Sequence, residues 1–232
     1  MKLIIEDKEK IADDISEVFL KTVEAKPDCV LGLATGSSPV LTYQKIIEKA
    51  KERNISFRKV HSFNLDEYLN NHDETQSYRY FMDHNLFYGI DINRENTNFP
   101  SEENYEHYDE MIEKAGGIDL QILGIGADGH IAFNEPNTPF DSKTHIAKLE
   151  EQTIKDNSRF FASEKDVPTH ALTMGLSTIM KSKKIVLIAT GKNKKEAVRK
   201  MFLKEDISCP ASILLSHPDV TIYADEDADP NK

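Results

Sequence analysis

The sequence predicts an α/β fold, an open, Rossmann-like and mostly parallel sheet with helices on both of its faces. Apolar runs lie at residues 29–34, 118–125 and 184–190, the first of them continuous, and such runs suit strands that are covered on both sides. Segments with the apolar spacing of helices separate these runs, an alternation that is typical of parallel sheets. Short loops rich in glycine and small polar residues follow the runs, and ligand sites in such folds collect where strands end.

The first half of the chain begins with a predicted strand at residues 2–6 and a helix at 7–26, whose apolar residues share one face. After the strand at 29–34, a helix begins at Pro39, because proline favours the first helical position and Ser38 before it is a favoured N-cap. Further predicted elements are a strand at 58–65, an aromatic-rich helix at 77–86 whose rings are interpreted as core, a connection at 93–100, and a charged helix at 102–115.

The second half alternates in the same way. We predict strands at residues 118–125, 144–150, 184–190 and 220–224, a helix from Gly191, a short helix at 210–217, and an acidic tail at 225–232 that is expected to fray. The polar stretch at about 151–175 is interpreted as a lid over the site. Residues 1–232 are predicted to form a single domain, since this length is ordinary for one α/β domain.

Composition limits the partners. The net charge is −11, with 40 acidic against 29 basic residues, which argues against nucleic acid and membrane surfaces as partners. A small phosphorylated metabolite can still be held by local amides and a few basic side chains. The chain has 2 cysteines and no CxxC motif, so a structural zinc site is not expected. Its first apolar run is too short for a signal peptide, and we expect a cytoplasmic protein.

The loop at residues 123–136 (LGIGADGHIAFNEP) concentrates chemistry after a predicted strand. Histidine exchanges protons near neutral pH, and carboxylates beside it can fix its tautomer and raise its pKa. Asp128, His130 and Glu135 therefore form a candidate acid–base group. A satisfied loop histidine is the alternative interpretation. The same residues could hold a metal in principle, but their spacing fits no common ligand pattern, so no metal is predicted.

Other motifs are excluded. Residues 124–129 match GxGxxG, but the sequence after Gly129 does not favour a helix, so we discount a dinucleotide site. The sequence contains no P-loop, no GxSxG elbow and no HExxH motif.

Two further loops have the form of anion sites. Thr35, Gly36, Ser37 and Ser38 lie between a strand and a helix, where free N–H groups favour anions, although capping by the serines is the preferred interpretation of this loop alone. A basic cluster follows Gly191 at another strand-to-helix turn. Asp66 and Glu67 end a predicted strand, and one of them is a candidate general base, with a solvated loop as the alternative. Asp66 is expected to be ionised if it lacks a pairing partner.

Three motifs together resemble the glucosamine-6-phosphate deaminase (isomerase) family: TGSSP at residues 35–39, FNLDEY at 63–68 and GADGHIAFNEP at 126–136. The similarity runs from about residue 2 to residue 224. The related 6-phosphogluconolactonases share a GxDGH core but lack the FNEP continuation. The resemblance implies that glucosamine 6-phosphate and water give fructose 6-phosphate and ammonia, without a metal or an organic cofactor.

The resemblance also implies roles for single residues. His130 would assist opening of the sugar ring, with Asp128 and Glu135 setting its charge and orientation, and Asp66 would move a proton between C2 and C1. The substrate phosphate would bind the loop of Thr35, Gly36, Ser37 and Ser38 together with Arg159 and Lys194.

Ala127 departs from the family pattern, because many members carry a polar residue there. Longer members form hexamers that N-acetylglucosamine 6-phosphate activates, and the short end of this chain does not carry that property over; a homo-oligomer is left open. A deaminase for the galactosamine epimer and a non-catalytic sugar-phosphate sensor are the alternatives, because one fold hosts several functions.

Overall fold

The computed structural model describes residues 1–71 and 73–232. Its strands form two sheets. They are β1 (Lys2–Ile5), β2 (Val30–Leu33), β3 (His61–Asn64), β4 (Asp66–Tyr68), β5 (Thr97–Asn98), β6 (Leu120–Gly124), β7 (His145–Lys148), β8 (His170–Thr173), β9 (Ile185–Ala189) and β10 (Val220–Ala224).

Seven strands form one parallel sheet in the order β1-β10-β9-β6-β2-β3-β5. Every residue of β2 and β9 is buried, so both faces of the central strands are covered. This arrangement confirms the predicted fold class. It also explains the continuous apolar runs, because a strand covered on both faces has no solvent side for polar residues.

A second sheet, in the order β4-β8-β7, is antiparallel and was not predicted. The chain leaves the large sheet after β3 and pairs at once with β8, with Asp66 opposite Thr173. The strand predicted at residues 58–65 is therefore shorter, and Asp66 and Glu67 lie in a strand rather than a loop. A three-residue strand is too short to show a period in the sequence.

The α-helices are α1 (Lys8–Ala25), α2 (Val40–Arg53), α3 (Tyr78–Asn85), α4 (Tyr108–Lys114), α5 (Glu151–Asn157), α6 (Leu176–Met180) and α7 (Lys195–Met201). The helix predicted from residue 102 begins later. Asn104 accepts the Ser101 N–H and donates to the Phe99 carbonyl, and this local turn competes with helix formation. Pro210–Ser216 forms a 3₁₀ helix rather than an α-helix.

Capping of α2 by Ser38 was wrong. Pro39 occupies the N-cap position, its φ and ψ are −85° and −6°, and no side chain of the described residues caps the helix. Pro39 has the helical φ and ψ that proline's fixed φ favours, but α2 itself begins at Val40, one residue later than predicted. The hydroxyls of Ser37 and Ser38 are therefore not used as caps.

The acidic tail is not frayed, contrary to expectation. The carboxylate of Asp225 accepts the Gly191 N–H at 2.9 Å and the Ala228 N–H at 3.0 Å. Ala228 and Asp229 are buried. Asp225 thereby joins the end of β10 to the loop that follows β9.

Among helices of the described residues, none is both long enough and apolar enough to cross a membrane.

Candidate active site

One cavity of about 460 Å³ opens where the parallel strands end. Predicted residues that line it are Thr35, Gly36, Ser37, Ser38, Asp66, His130, Arg159 and Lys194. Asp128 and Glu135 stand behind His130 and reach the cavity only through its ring. The structure therefore brings together side chains from loops that lie far apart in the sequence.

His130 is held by two carboxylates. Its Nδ1 lies 2.8 Å from Oδ1 of Asp128 and 3.5 Å from Oε2 of Glu135, and its backbone N–H donates to Asp128 as well. The loop closes on itself because the Gly126 N–H donates to the His130 carbonyl at 2.9 Å. With Nδ1 facing the carboxylates, Nε2 is the ring nitrogen left for a ligand.

These contacts change the proton affinity of the ring. Burial disfavours the charged imidazolium, but the hydrogen bonds and charges of Asp128 and Glu135 outweigh it and raise the pKa of His130 to about 9. Burial alone would raise the pKa of Asp128, yet its hydrogen bond to His130 lowers that pKa to about 2. His130 is thus positively charged at neutral pH and able to donate a proton. This agrees with the raised pKa expected from the sequence.

Asp66 behaves differently from expectation. It is 6% exposed, and its Oδ1 has no hydrogen-bond partner within the described part of the chain. Burial, followed by the neighbouring charge of Glu67, raises its pKa to about 8, although His130 acts in the opposite direction. The raised pKa contradicts the expectation that an unpaired Asp66 is ionised at neutral pH. A sequence does not show that no group solvates a carboxylate, and burial then decides its charge.

Glu67 has a structural task. Its carboxylate accepts the backbone N–H groups of Tyr68, Tyr78 and Arg79 at 2.9 to 3.0 Å. Tyr78 and Arg79 are the first two residues of α3, so Glu67 satisfies a helix start that has free donors. Asp66 is therefore the member of this adjacent pair that remains available for chemistry.

Basic groups and hydroxyls gather at the loop after β2. Nη2 of Arg159 donates to Oγ of Ser37 across 3.4 Å. Burial lowers the pKa of Lys194, and the positive charge of Arg159 contributes to that decrease. Two cations that repel each other beside hydroxyls that cap no helix favour an anion between them. Lys192 of the same basic cluster is exposed and does not line the cavity.

An aromatic wall was missed as part of the site. Tyr68 and Tyr78 lie 4.8 Å apart between ring centroids, and Phe133 stacks on Tyr78 at 6.0 Å. All three line the cavity, as do Tyr80 and other residues of α3. Helical spacing predicted that the aromatic rings here are core. Phe87 confirms this, but Tyr80 and Tyr88 are 40% and 65% exposed. The proximity of this helix to Asp66 was the available signal that one of its faces lines the site.

The segment predicted as a lid contributes Arg159 and Phe160 to the cavity. It contains α5 and short 3₁₀ turns at Ser158–Phe160 and Glu164–Asp166, whereas residues 170–173 belong to β8. Nδ2 of Asn157 donates to the Tyr68 hydroxyl at 3.0 Å, which ties the segment to β4. Movement of a lid stays a prediction.

Potential metal ligands also lie here. Asp128, His130 and Glu135 each offer one ligand atom, and these three atoms lie within 4.8 Å of one another. The raised pKa of His130 means that its ring holds a proton at neutral pH, and this proton competes with any cation for the position. Reaction without a metal stays a prediction.

The chain was compared with known proteins. The family model for glucosamine-6-phosphate isomerases/6-phosphogluconolactonase matches residues 6–223. A glucosamine-6-phosphate deaminase of Thermoanaerobacter pseudethanolicus is 49% identical over 98% of this chain and 94% of its own length. A glucosamine-6-phosphate deaminase of Mycoplasma mycoides subsp. mycoides is 50% identical over 98% of this chain and 96% of its own length.

Solved structures agree with these relatives. A monomeric glucosamine-6-phosphate deaminase superposes with a TM-score of 0.95 at 40% identity, covering 98% of both chains. The 6-phosphogluconolactonase of Thermotoga maritima has a TM-score of 0.73 at 21% identity over 96% and 97% of the chains, and this likeness shows the fold alone. The chain belongs to the glucosamine-6-phosphate isomerase/6-phosphogluconolactonase family.

Proposed function

We propose that this chain is a glucosamine-6-phosphate deaminase, which converts glucosamine 6-phosphate and water to fructose 6-phosphate and ammonia. The observation that carries the proposal is one cavity lined by a buried Asp66, whose Oδ1 has no hydrogen-bond partner among the described residues, and by a His130 that two carboxylates hold in its charged form. Relatives that are about half identical over nearly their full length bear this name.

In the first step, His130 assists opening of the pyranose ring. The imidazolium donates its Nε2 proton to the ring oxygen as the C1–O5 bond breaks, and the neutral Nε2 then takes the proton of the C1 hydroxyl, which gives the aldehyde and restores the imidazolium. Asp128 and Glu135 keep the ring charged and oriented before the step. A positioned proton donor of this kind contributes about 10² to 10⁴ in rate.

In the second step, Asp66 acts as the carbon-acid base. The ammonium group at C2 of the substrate brings a positive charge, which favours the carboxylate form of a nearby Asp66. The carboxylate removes the C2 proton, the electron pair moves onto the C1 carbonyl oxygen, and that oxygen takes a proton from the C2 ammonium group, so that an enol amine forms. Return of the proton to C1 gives the C2 imine, which water hydrolyses to the ketose and ammonia.

The phosphate is assigned to the loop of Thr35, Gly36, Ser37 and Ser38, with Arg159 and Lys194 as its cations. The absence of a side-chain cap on α2 supports this assignment, because the serine hydroxyls remain available. Arginine can bind a phosphate through two parallel hydrogen bonds.

The first measurement is ammonia release by the purified protein from glucosamine 6-phosphate, with a chelator present and galactosamine 6-phosphate in parallel. Rapid release from the gluco sugar supports the proposal and a metal-free reaction, whereas preference for the galacto sugar would favour the epimer-specific alternative. Asp66→Asn should abolish release while sugar-phosphate binding persists. The exposed Asp227→Asn is the matched control and should retain wild-type turnover.

The galactosamine epimer stays the closest alternative, because selection at one hydroxyl depends on few contacts. A sensor would bind the sugar phosphate without releasing ammonia, and binding without release from either sugar would favour it. In that case Ala127 is the first residue to test.

The proposal extends to the oligomeric state and to the cellular location of the protein. The similar solved deaminase is described as monomeric, so we propose a monomer, which sedimentation of the purified chain tests. A cytoplasmic location is also proposed, because a sugar phosphate is charged and crosses membranes poorly.

A further inference from the structure

The end of β8 joins the two halves of the candidate site. On one side, Thr173 is paired with Asp66 in the antiparallel ladder. The next residue, Met174, donates its N–H to the Leu65 carbonyl at 2.6 Å. The position of the proposed carbon-acid base is therefore tied to the backbone of residues 173 and 174.

On the other side, the same two residues bind the loop at residues 123–136, which carries His130. The Thr173 hydroxyl accepts the Phe133 N–H at 3.0 Å. Nδ2 of Asn134 donates to the Met174 carbonyl at 2.8 Å and to the Ile131 carbonyl at 3.0 Å. Thr173 and Asn134 are fully buried, so water does not replace these bonds when they are lost.

The loop needs such support because of its backbone. Ala132 adopts a left-handed conformation, with φ of +52°, in the turn between Ile131 and Asn134. A residue with a Cβ persists in this region only where its surroundings determine the conformation. The turn lies between His130 and Glu135, whose Nδ1 and Oε2 atoms are 3.5 Å apart. A change in the turn would therefore move the imidazole relative to its carboxylates.

We propose that Thr173 is a positioning residue for the reaction, with Asn134 as its partner. Together they set the place of His130 and Glu135 relative to Asp66, across two segments that are distant in sequence. The proposal rests on the proposed deaminase function and deepens it. The proposed phosphate ligands Arg159 and Lys194 come from other segments. Loss of the contacts of Thr173 should therefore affect turnover more than substrate binding.

Thr173→Val tests this directly. Valine has nearly the same shape but lacks the oxygen that accepts the Phe133 N–H. We expect kcat for ammonia release to fall about 10- to 100-fold while KM changes less than about 3-fold, since small misplacements of reacting groups cost rates of this order. The alkaline limb of the pH–rate profile should move as well, because the contacts of His130 change. Thr173→Ser keeps the hydroxyl and should restore most of kcat.

Thr178→Val is the matched control. Thr178 is also a buried threonine, and its hydroxyl donates to Asp109 at 2.9 Å outside the cavity. Urea unfolding of all three variants separates stability from positioning, and we expect Thr178→Val to lose stability with little loss of kcat. Binding of glucosaminitol 6-phosphate, which lacks the C1 aldehyde and cannot react, verifies that each variant retains a folded site.

Three results would overturn the inference. These are an unchanged kcat in Thr173→Val, an equal loss of kcat in Thr178→Val, or a serine variant as impaired as the valine one. Each presupposes an active wild-type protein. Absence of turnover in the wild type would instead reject the proposed function, so the two failures are distinguishable.

Discussion

Gly126 leaves the space that the imidazole ring of His130 occupies. A Cβ built on Gly126 would overlap Cε1, Nδ1 and Cγ of the ring. The φ of Gly126 is not positive, so the glycine is needed here for the close approach of the His130 ring and not for a left-handed conformation. It therefore supports the same ring that Asp128 and Glu135 orient.

Gly126→Ala should displace the ring from both carboxylates. We expect kcat for ammonia release to fall about 100-fold, in line with the cost of an ångström-scale misplacement. Gly124→Ala is the comparison, since its added Cβ meets no atom within 4 Å, and it should lose much less. Equal losses in the two variants would show that the overlap with His130 is not the cause.

Asp128→Asn tests the charge on His130. The amide keeps the size of the side chain and can still accept the His130 N–H, but it removes the negative charge that stabilises the imidazolium. The pKa of His130 should therefore fall, and the alkaline limb of the kcat profile should move down by about one to two pH units. A pH–rate series on the wild type and the variant measures this change. An unmoved limb would assign it to another group.

Asp66→Asn should stabilise the fold while it removes activity. The folded-state pKa of Asp66 is raised from 3.8 to about 8, so its contribution to stability is complete below the ordinary pKa and is lost as the pH rises through the folded one. Asparagine cannot ionise. We expect the variant to be more stable by about 1–3 kcal/mol near pH 8, with the difference vanishing toward pH 4.

Urea titrations at several pH values measure that difference. Asp227→Asn serves again as the control, because its side chain is exposed. A stability gain that is the same at every pH would contradict a buried, proton-binding Asp66.

Lys194→Ala should weaken substrate binding. We expect KM for glucosamine 6-phosphate to rise about 10- to 100-fold with kcat nearly unchanged, the pattern of an interaction equally strong in ground and transition states. Inorganic phosphate should also become a weaker competitive inhibitor. Lys192→Ala, on the same loop but outside the cavity, should leave KM unchanged. A loss confined to kcat would place Lys194 near the reacting carbons instead.

The sequence was most informative where structure depends on short-range patterns. The runs of β2 and β9 are apolar throughout because both of their faces are buried, so their place in a parallel sheet was predictable. The group of Asp128, His130 and Glu135 was also predictable, because one loop carries all three side chains.

Features that depend on long-range contacts were not predictable. The small sheet requires Asp66 to meet Thr173, and no local spacing relates these positions. The protonation of Asp66 follows from burial, which only the assembled cavity shows. The hydrogen bond from the Gly191 N–H to Asp225 likewise joins a tail and a loop, and local sequence patterns do not relate these two segments.

The raised pKa of Asp66 has a consequence for how the protein binds its ligand. If a cationic amino group makes Asp66 ionise, each binding event releases a proton into the medium. Calorimetric binding heats should then differ between buffers in proportion to their ionisation enthalpies. Affinity should also increase with pH until Asp66 is already ionised in the free protein, near about pH 8. Ligand capture by this fold is thus an acid-releasing event before any bond in the sugar breaks.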